Sequence, residues 1–423
     1  MLGEIIAIGD ELTSGRVVNS TSGFAARHLF AAGYEILAMT TIGDSPARIA
    51  EVLARALDRA DFVVVTGGLG ATTDDRTNEA VAAALNRPPT FFPEILAKVK
   101  KFAASGTEGI PRQLEKLAWL PEGAEVLSPD AGMAGHVLVH AGKPIFFLPG
   151  VPEEMRHLLT VAVIPQLAAW QGGSALAVRQ QLYKAFGLSE TEINRRLAAL
   201  EEDDPRIKIG YYPVFPEVHV SLTAQDHAPE ETSPLFDRFD AAIRRALGDT
   251  LYGTGDETLE SVIGGCLAER RQTVATAESC TGGLIGHAIT RVAGSSAYYL
   301  GGVVAYSNDL KEKLLGVEPE TLRRYGAVSG ETARAMAEGC RRLTRADYAL
   351  AVTGVAGPGG GSPEKPVGTV YFGLAASGEE PRDILCRFRG ARNPIQIVSA
   401  ATALDLLRRK LLNKTLEFHA QPR

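Results

Sequence analysis

Ser279, set between Glu278 and Cys280 and followed by Thr281-Gly282-Gly283, is a residue whose type and place could do chemistry. The apolar run 273–277 before it reads as a strand, and the alternating segment 284–292 after it reads as a helix. A serine at such a turn has two uses. Its oxygen can cap the helix by accepting an orphan backbone N–H. Alternatively it is a nucleophile whose developing oxyanion is met by N–H groups at the helix start. The second use needs a base for the hydroxyl proton. His287 lies on the helix behind the serine and His419 in the tail, and neither belongs to a motif. A lysine can serve if burial or nearby cations lower its pKa. Lys311, close after Tyr306-Ser307-Asn308, reads on the residues alone as a solvated helix lysine. Lys313 would point to another face of the same helix and is an internal control. Cys280 reads as a small buried filler.

Further along, 354–361 is a glycine-rich loop after an apolar strand, suited to holding a phosphate or an oxyanion, or simply a flexible connection. Arg392, before the last helix, can clamp a phosphate through two N–H groups, or be one of several surface arginines. Tyr306 can stack on a base, bond Lys311, or fill a strand end. Glu278 can pair with Lys311 or hold the turn.

Near the amino terminus, Gly67-Gly68-Leu69-Gly70 follows the buried run Phe62–Thr66 and leads into Thr73-Asp74-Asp75-Arg76-Thr77. Glycines there let backbone N–H groups approach an anion. Thr73 and Thr77 can bond phosphate oxygens, and Asp74 and Asp75 can hold a hydrated Mg²⁺. The bland alternative is a tight turn with an aspartate cap for a helix starting at Thr77. Pro149-Gly150-Val151-Pro152-Glu153-Glu154 and Gly9-Asp10-Glu11-Leu12 end two further strands. Three polar loops at three strand ends suggest one nucleotide-like site.

The elements that must position these residues alternate. Strands at 4–8, 34–41, 62–66 and 144–148 are interleaved with helices at 22–32 and 46–60, and buried apolar strands between helices predict a parallel α/β sheet. Residues 171–253 read as a small α+β module after a linker at 171–174. Residues 254–423 return to α/β, with helices at 258–271, 310–315 (capped by Asn308), 329–343 and 394–412, and strands at 301–306, 348–353 and 367–375. The expected domains are therefore 1–170, 171–253 and 254–423. A chain of 423 residues suits about three domains of roughly 100–200 residues. Net charge is −6, four cysteines show no metal-type spacing, and no run reaches the roughly 18 apolar residues of a membrane span. A cytoplasmic protein with reduced thiols, bound to no membrane, is expected.

The three amino-terminal loops resemble the molybdopterin-binding fold. Together with Ala277–Gly283, Tyr306-Ser307-Asn308 with Lys311, and Thr353-Gly354-Val355-Ala356-Gly357-Pro358, they resemble the CinA family over essentially the whole chain, in the family's order. The resemblance implies two activities and a KH-type middle module. The carboxy-terminal domain is expected to deamidate nicotinamide mononucleotide through a Ser279–Lys311 dyad, without a cofactor. Tyr306 and Glu278 would sit at its centre, and Thr281, Gly282, Gly283, Thr353, Gly354, Ala356, Gly357 and Arg392 would bind substrate. The amino-terminal domain is expected to cleave ADP-ribose with a divalent metal such as Mg²⁺, with K⁺ as a further cation. Asp75 would be the chief metal ligand, with Asp10 and Glu154; Gly67, Gly68, Leu69, Gly70, Thr73, Asp74, Thr77, Pro149, Gly150 and Pro152 would hold the nucleotide. This chain carries Asp10 where many members have threonine, which adds a carboxylate beside the expected pyrophosphate. A homodimer is implied as well. The middle module has no GxxG loop between 173 and 253 and holds 9 Lys/Arg against 13 Asp/Glu, the wrong balance for a nucleic-acid partner. A pterin or nucleotide sensor without turnover, and a nucleic-acid adaptor linked to competence, are the competing readings.

Overall fold

A computed structural model describes residues 1–97, 112–127, 135–172, 177–201, 203–226 and 229–416. Gly173 and Ser174 of the expected linker, and His419, lie outside them. The chain forms two compact units: residues 1–179 with 224–233, and 180–223 with 234–423.

In the first unit, β1 (Leu2–Ile8), β2 (Glu35–Ile42), β3 (Phe62–Thr66), β4 (Glu125–Val126), β5 (His136–His140) and β6 (Lys143–Leu148) form a sheet in the order β2-β1-β3-β6-β5-β4. The first four are parallel, as the alternation predicts. The last two are antiparallel, so the sheet is mixed and not parallel throughout. Ala141 and Gly142 both have positive φ (49° and 78°), which folds β5 back onto β6 in a two-residue turn. β3 and β6 are apolar on both faces because both faces are covered. Val64 and Phe146 join a core with Leu29 and Met155, while Val63 and Phe147 join another with Val52 and Leu53 of the helix Pro46–Arg59.

The middle segment carries β7 (Ala177–Ala185), β8 (Ile207–Val214), β9 (Glu217–Asp226) and β10 (Leu251–Thr254), in the order β8-β9-β7-β10, with helices Glu190–Glu201 and Pro229–Leu247. This is the α+β pattern expected.

The rest is a second mixed sheet: β11 (Val274–Glu278), β12 (Tyr299–Val304), β13 (Tyr348–Gly354), β14 (Thr369–Ala376) and β15 (Arg382–Arg387), in the order β12-β11-β13-β14-β15. β12, β11 and β13 are parallel, and β14 and β15 antiparallel. β15 and the helix Pro319–Tyr325 are elements the sequence reading lacks. All five residues of β11 are buried. Helices Leu259–Arg270, Leu284–Thr290 and Arg392–Leu411 cover one face, and Asn308–Leu315 and Gly330–Thr344 the other. Ser279 thus stands at the carboxyl end of an interior strand, where α/β sheets place ligands. Ser307, and not Asn308, caps the helix Asn308–Leu315, its hydroxyl accepting the Leu310 N–H at 3.2 Å.

Candidate active site

Between the two possible uses of Ser279, the structure assigns capping to its neighbour. The Glu278 carboxylate accepts the N–H groups of Gly283 (3.0 Å), Ile285 (3.1 Å) and Gly286 (2.9 Å), filling the start of the helix Leu284–Thr290. An anion is favoured there, and that anion belongs to the protein. The helix start is therefore not open to a substrate oxyanion. Glu278 holds the turn and forms no ion pair with Lys311 among the described residues. Gly282 and Gly283, at φ 66° and 104°, carry the chain round in a conformation that other residues adopt only with strain.

Freed from capping, Ser279 Oγ is hydrogen-bonded to Lys311 Nζ at 3.1 Å. Lys311 is 1% exposed and Ser279 8%. The lysine Nζ also donates to the carbonyl oxygens of Ala305 (3.0 Å) and Tyr306 (3.4 Å). Burial pushes the Lys311 ammonium below its ordinary pKa. A neutral amine has two hydrogens and one lone pair. With both hydrogens on carbonyls, its lone pair is directed at the serine hydroxyl. Lys313 points outward, 69% exposed and paired with Asp309 at 2.8 Å, so the two lysines do occupy different faces. Cys280 is buried and its thiol is pushed up to about 12, which makes it inert, as a filler should be.

Beside the dyad, Arg392 donates to Gly357 O and to Tyr306 Oη, both at 2.8 Å. Tyr306 is 59% exposed, and its phenol meets Arg392 and not Lys311. Thr353 spends its hydroxyl on Ala327 O (2.7 Å), which removes it as a ready phosphate donor. Gly354 lies against Val370 and Ala356 in the core, so both shape the loop from beneath. Thr281 is buried, and its Oγ1 has no partner among the described residues. Among the described residues, no acceptor meets the backbone N–H of Thr281. His287, on the helix Leu284–Thr290, has no contact with the dyad among the described residues. Sequence reasoning missed Gln396, whose Nε2 donates to Cys280 O at 2.7 Å. Its signal is its place one helical turn beyond Arg392.

In the first unit, the three strand-end loops do meet. A cleft of about 340 Å³ is lined by Gly9, Glu11, Asp44, Gly67–Gly70, Asp74, Asp75 and Pro149–Pro152. Gly67 is necessary twice over: its φ is 98°, and a Cβ there would run into Ile8 O. Thr77 Oγ1 donates to Gly67 O at 3.0 Å and is fully buried, so it braces the loop and is not placed for a phosphate. Thr73 is exposed. Arg76 stands at the helix start, where its side chain reaches Glu79 (3.8 Å) and makes no capping hydrogen bond, and Asp75 does not cap the helix. The Asp75 carboxylate instead accepts the N–H (2.9 Å) and hydroxyl of Thr72.

The three expected metal ligands are not gathered. Asp10 Oδ1 accepts the Asp44 N–H at 3.2 Å, Asp75 faces Thr72, and Glu154 is not among the cleft-lining residues. The Glu154 Oε2 is buried without a partner among the described residues, and burial raises its pKa. Among the described residues no group of three His, Cys, Asp or Glu is arranged to hold a metal. Asp44 was missed, although it follows the end of a predicted strand as the other loops do. Its carboxyl returns the Asp10 N–H at 2.8 Å. Burial raises its pKa, and the charges of Asp10, Glu11 and Asp74 add to the rise. A second cavity of about 400 Å³ shares Gly68–Gly70 and Asp75 with the cleft and is walled by Asn78, Lys116 and Trp119.

A buried Ser–Lys pair on one α/β sheet and a glycine-lined acidic cleft on another define a two-site α/β protein with a small module between them in sequence. Family models match accordingly: a probable molybdopterin binding domain over residues 4–169, the damage-inducible protein CinA KH domain over 180–253, and the CinA C-terminal domain over 256–411. A CinA-like protein of Desulfotalea psychrophila is 50% identical over 97% of this chain and 98% of its own. A putative competence-damage inducible protein of Moorella thermoacetica is 41% identical over 97% and 99%. A crystal structure of a competence/damage-inducible protein from Agrobacterium tumefaciens is 45% identical over 36% of this chain and 93% of its own, at TM-score 0.36. The chain belongs to the CinA family. No helix among the described residues is long and apolar enough to cross a membrane.

Proposed function

We propose that the carboxy-terminal site deamidates nicotinamide mononucleotide by covalent catalysis. The observation that carries this reading is the buried 3.1 Å contact between Ser279 Oγ and Lys311 Nζ, with two carbonyls orienting the amine. Neutral Lys311 accepts the hydroxyl proton as Oγ bonds to the carboxamide carbon. The oxyanion that forms is met by the N–H of Thr281, which has no acceptor among the described residues. Lys311 then returns the proton to the nitrogen, the C–N bond breaks, and ammonia leaves. Water, deprotonated by Lys311, attacks the ester on Ser279, and the serine leaves with that proton. Nicotinate mononucleotide departs. Arg392 and the exposed ring of Tyr306 supply a cation and an aromatic face suited to a phosphate and a pyridinium. Purified protein incubated with nicotinamide mononucleotide is expected to release ammonia, and Lys311→Ala is not. Equal release by both sinks the dyad.

The amino-terminal cleft we read as an ADP-ribose pyrophosphatase site giving AMP and ribose 5-phosphate. Its carboxylates suit a hard divalent cation such as Mg²⁺, which takes one or two of them and keeps several waters. Of the cleft-lining carboxylates, Asp44, which accepts the Asp10 N–H, and Asp75 are the ones that would hold it, and when bound it would supply positive charge to the pyrophosphate. Lys116, at the second cavity, adds a fixed cation, and Trp119 an apolar wall for a base. The lack of a three-ligand cluster among the described residues favours a second reading, a nucleotide sensor without turnover. Calorimetric titration with ADP-ribose, paired with an AMP assay with and without Mg²⁺, separates them: binding without AMP in either condition selects the sensor.

A further inference from the structure

We propose that Gln396 is a positioning residue that aims an oxyanion donor of the Ser279 turn; this rests on the serine-amidase reading above. Gln396 lies on the helix Arg392–Leu411, 116 positions from Cys280, and donates Nε2–H to the Cys280 carbonyl at 2.7 Å. The peptide between Cys280 and Thr281 is planar and trans, so its C=O and N–H point in opposite directions. Drawing the carbonyl towards the helix therefore turns the Thr281 N–H away from it. That N–H has no acceptor among the described residues, in a side chain and backbone that are 2% exposed. Buried backbone N–H groups without partners are rare, and one beside a nucleophile is placed for an acceptor that arrives with the reaction.

The rest of the turn is already braced. The Ser279 N–H is held by Val352 O (2.9 Å), the Gly282 N–H by Ser279 O (3.2 Å), and the Gly283 N–H by Glu278. The Cys280–Thr281 peptide is the link in that chain whose only hydrogen bond comes from Gln396 among the described residues. Arg392, four residues earlier and on the same helix face, holds Gly357 O. One face thus grips both the glycine-rich loop and the nucleophile turn, and Gln396 is the contact that sets the peptide plane.

The test uses the full chain, with nicotinamide mononucleotide and its thioamide analogue as probes. Gln396→Leu keeps the bulk and removes the donor; Gln396→Glu keeps the shape and sets an acceptor against the carbonyl. Both are expected to lower kcat for the amide by about 10- to 100-fold with KM changed less than about 3-fold, since direct loss of one such donor costs roughly 10²–10³. Sulfur accepts hydrogen bonds poorly, so the oxygen-to-sulfur rate ratio should fall by a similar factor. A merely structural role would slow both probes alike and leave the ratio unchanged, which overturns the proposal, as does wild-type kcat in either variant. Should Gln396→Leu fail to fold by thermal melt, Gln396→Glu carries the measurement. Ser279→Ala run alongside keeps the two ideas apart. Ammonia release by Ser279→Ala overturns the amidase reading and this proposal with it. A dead Ser279→Ala with an unperturbed Gln396→Leu overturns this proposal alone.

Discussion

Ser279 and Gly67 each follow a strand whose residues are all buried, and each opens a glycine-rich turn at that strand's carboxyl end. Their charges are spent differently. Around Ser279 the one carboxylate, Glu278, is consumed by three backbone N–H groups, and the one buried amine is left with carbonyls and a hydroxyl. That site is satisfied by its own side chains and holds a base ready for use. Around Gly67, Glu11, Asp44, Asp74 and Asp75 line a shared cleft, and burial, with the charges of Asp10, Glu11 and Asp74, raises the cost of ionisation at Asp44. On the reading proposed above, that site would take a cation from outside. Similar backbone grammar would then serve covalent catalysis in one place and cation-assisted phosphate chemistry in the other.

The largest expected break in this contrast comes from Ser279→Ala, which should cut ammonia release on the order of 10³-fold or more and leave AMP formation from ADP-ribose unchanged. Parallel assays on one preparation decide it; a matched fall in both activities would mean the sites are not independent. Next comes a stability effect in the scaffold behind Arg392 and Gln396. Asp405 is buried and accepts from Arg408 (2.7 Å) and Arg409 (2.6 Å), themselves nearly inaccessible. Asp405→Ala leaves two buried guanidiniums without their carboxylate and should cost about 3–5 kcal/mol, read by urea unfolding.

The pH profile sharpens the comparison. In the proposed mechanism Lys311 acts as a neutral base, and burial lowers its pKa. Deamidation should therefore rise with pH, through a limb lying below the ordinary lysine value of 10.5, and level off above it. The same depression makes the unfolded chain hold a proton that the folded chain has lost. Between the lowered folded pKa and the unfolded value, stability contributed by this group grows with pH. A limb at the ordinary lysine value would show that Lys311 is not the base. In the other site, Asp44→Asn should raise the Mg²⁺ concentration needed for half-maximal AMP formation by about 10-fold, on the scale seen when a supporting carboxylate is lost. Lys313→Ala closes the series, with no measurable change in either assay, because its ion pair with Asp309 is exposed.

Much of this was legible in the chain itself. Apolar runs at 62–66 and 144–148 marked buried strands, and glycines after them marked the loops that form the cleft. Conversely, the Ala141-Gly142 hairpin escaped because the pair lacks the Asn or Asp of a strong turn signal. Glu278 was noted without its role, since a carboxylate before a serine does not announce three backbone partners up to eight residues ahead.

By itself, the sequence determined the strands and helices around both sites, the glycine turns that follow the strands, and that Lys311 and Lys313 must face different ways, because periodicity and φ preferences act within a few residues. Only the tertiary structure decided which side chains meet. Lys311 reaches Ser279 across 32 positions, Arg392 reaches Tyr306 across 86, and Gln396 reaches Cys280 across 116. Those distances follow from strand order and helix packing, in which β11 lies between β12 and β13. Sheet order is set by the burial of all elements together. The meeting of Lys311 and Gln396 with the Ser279 turn therefore belongs to the fold, and the serine and its glycines to the sequence.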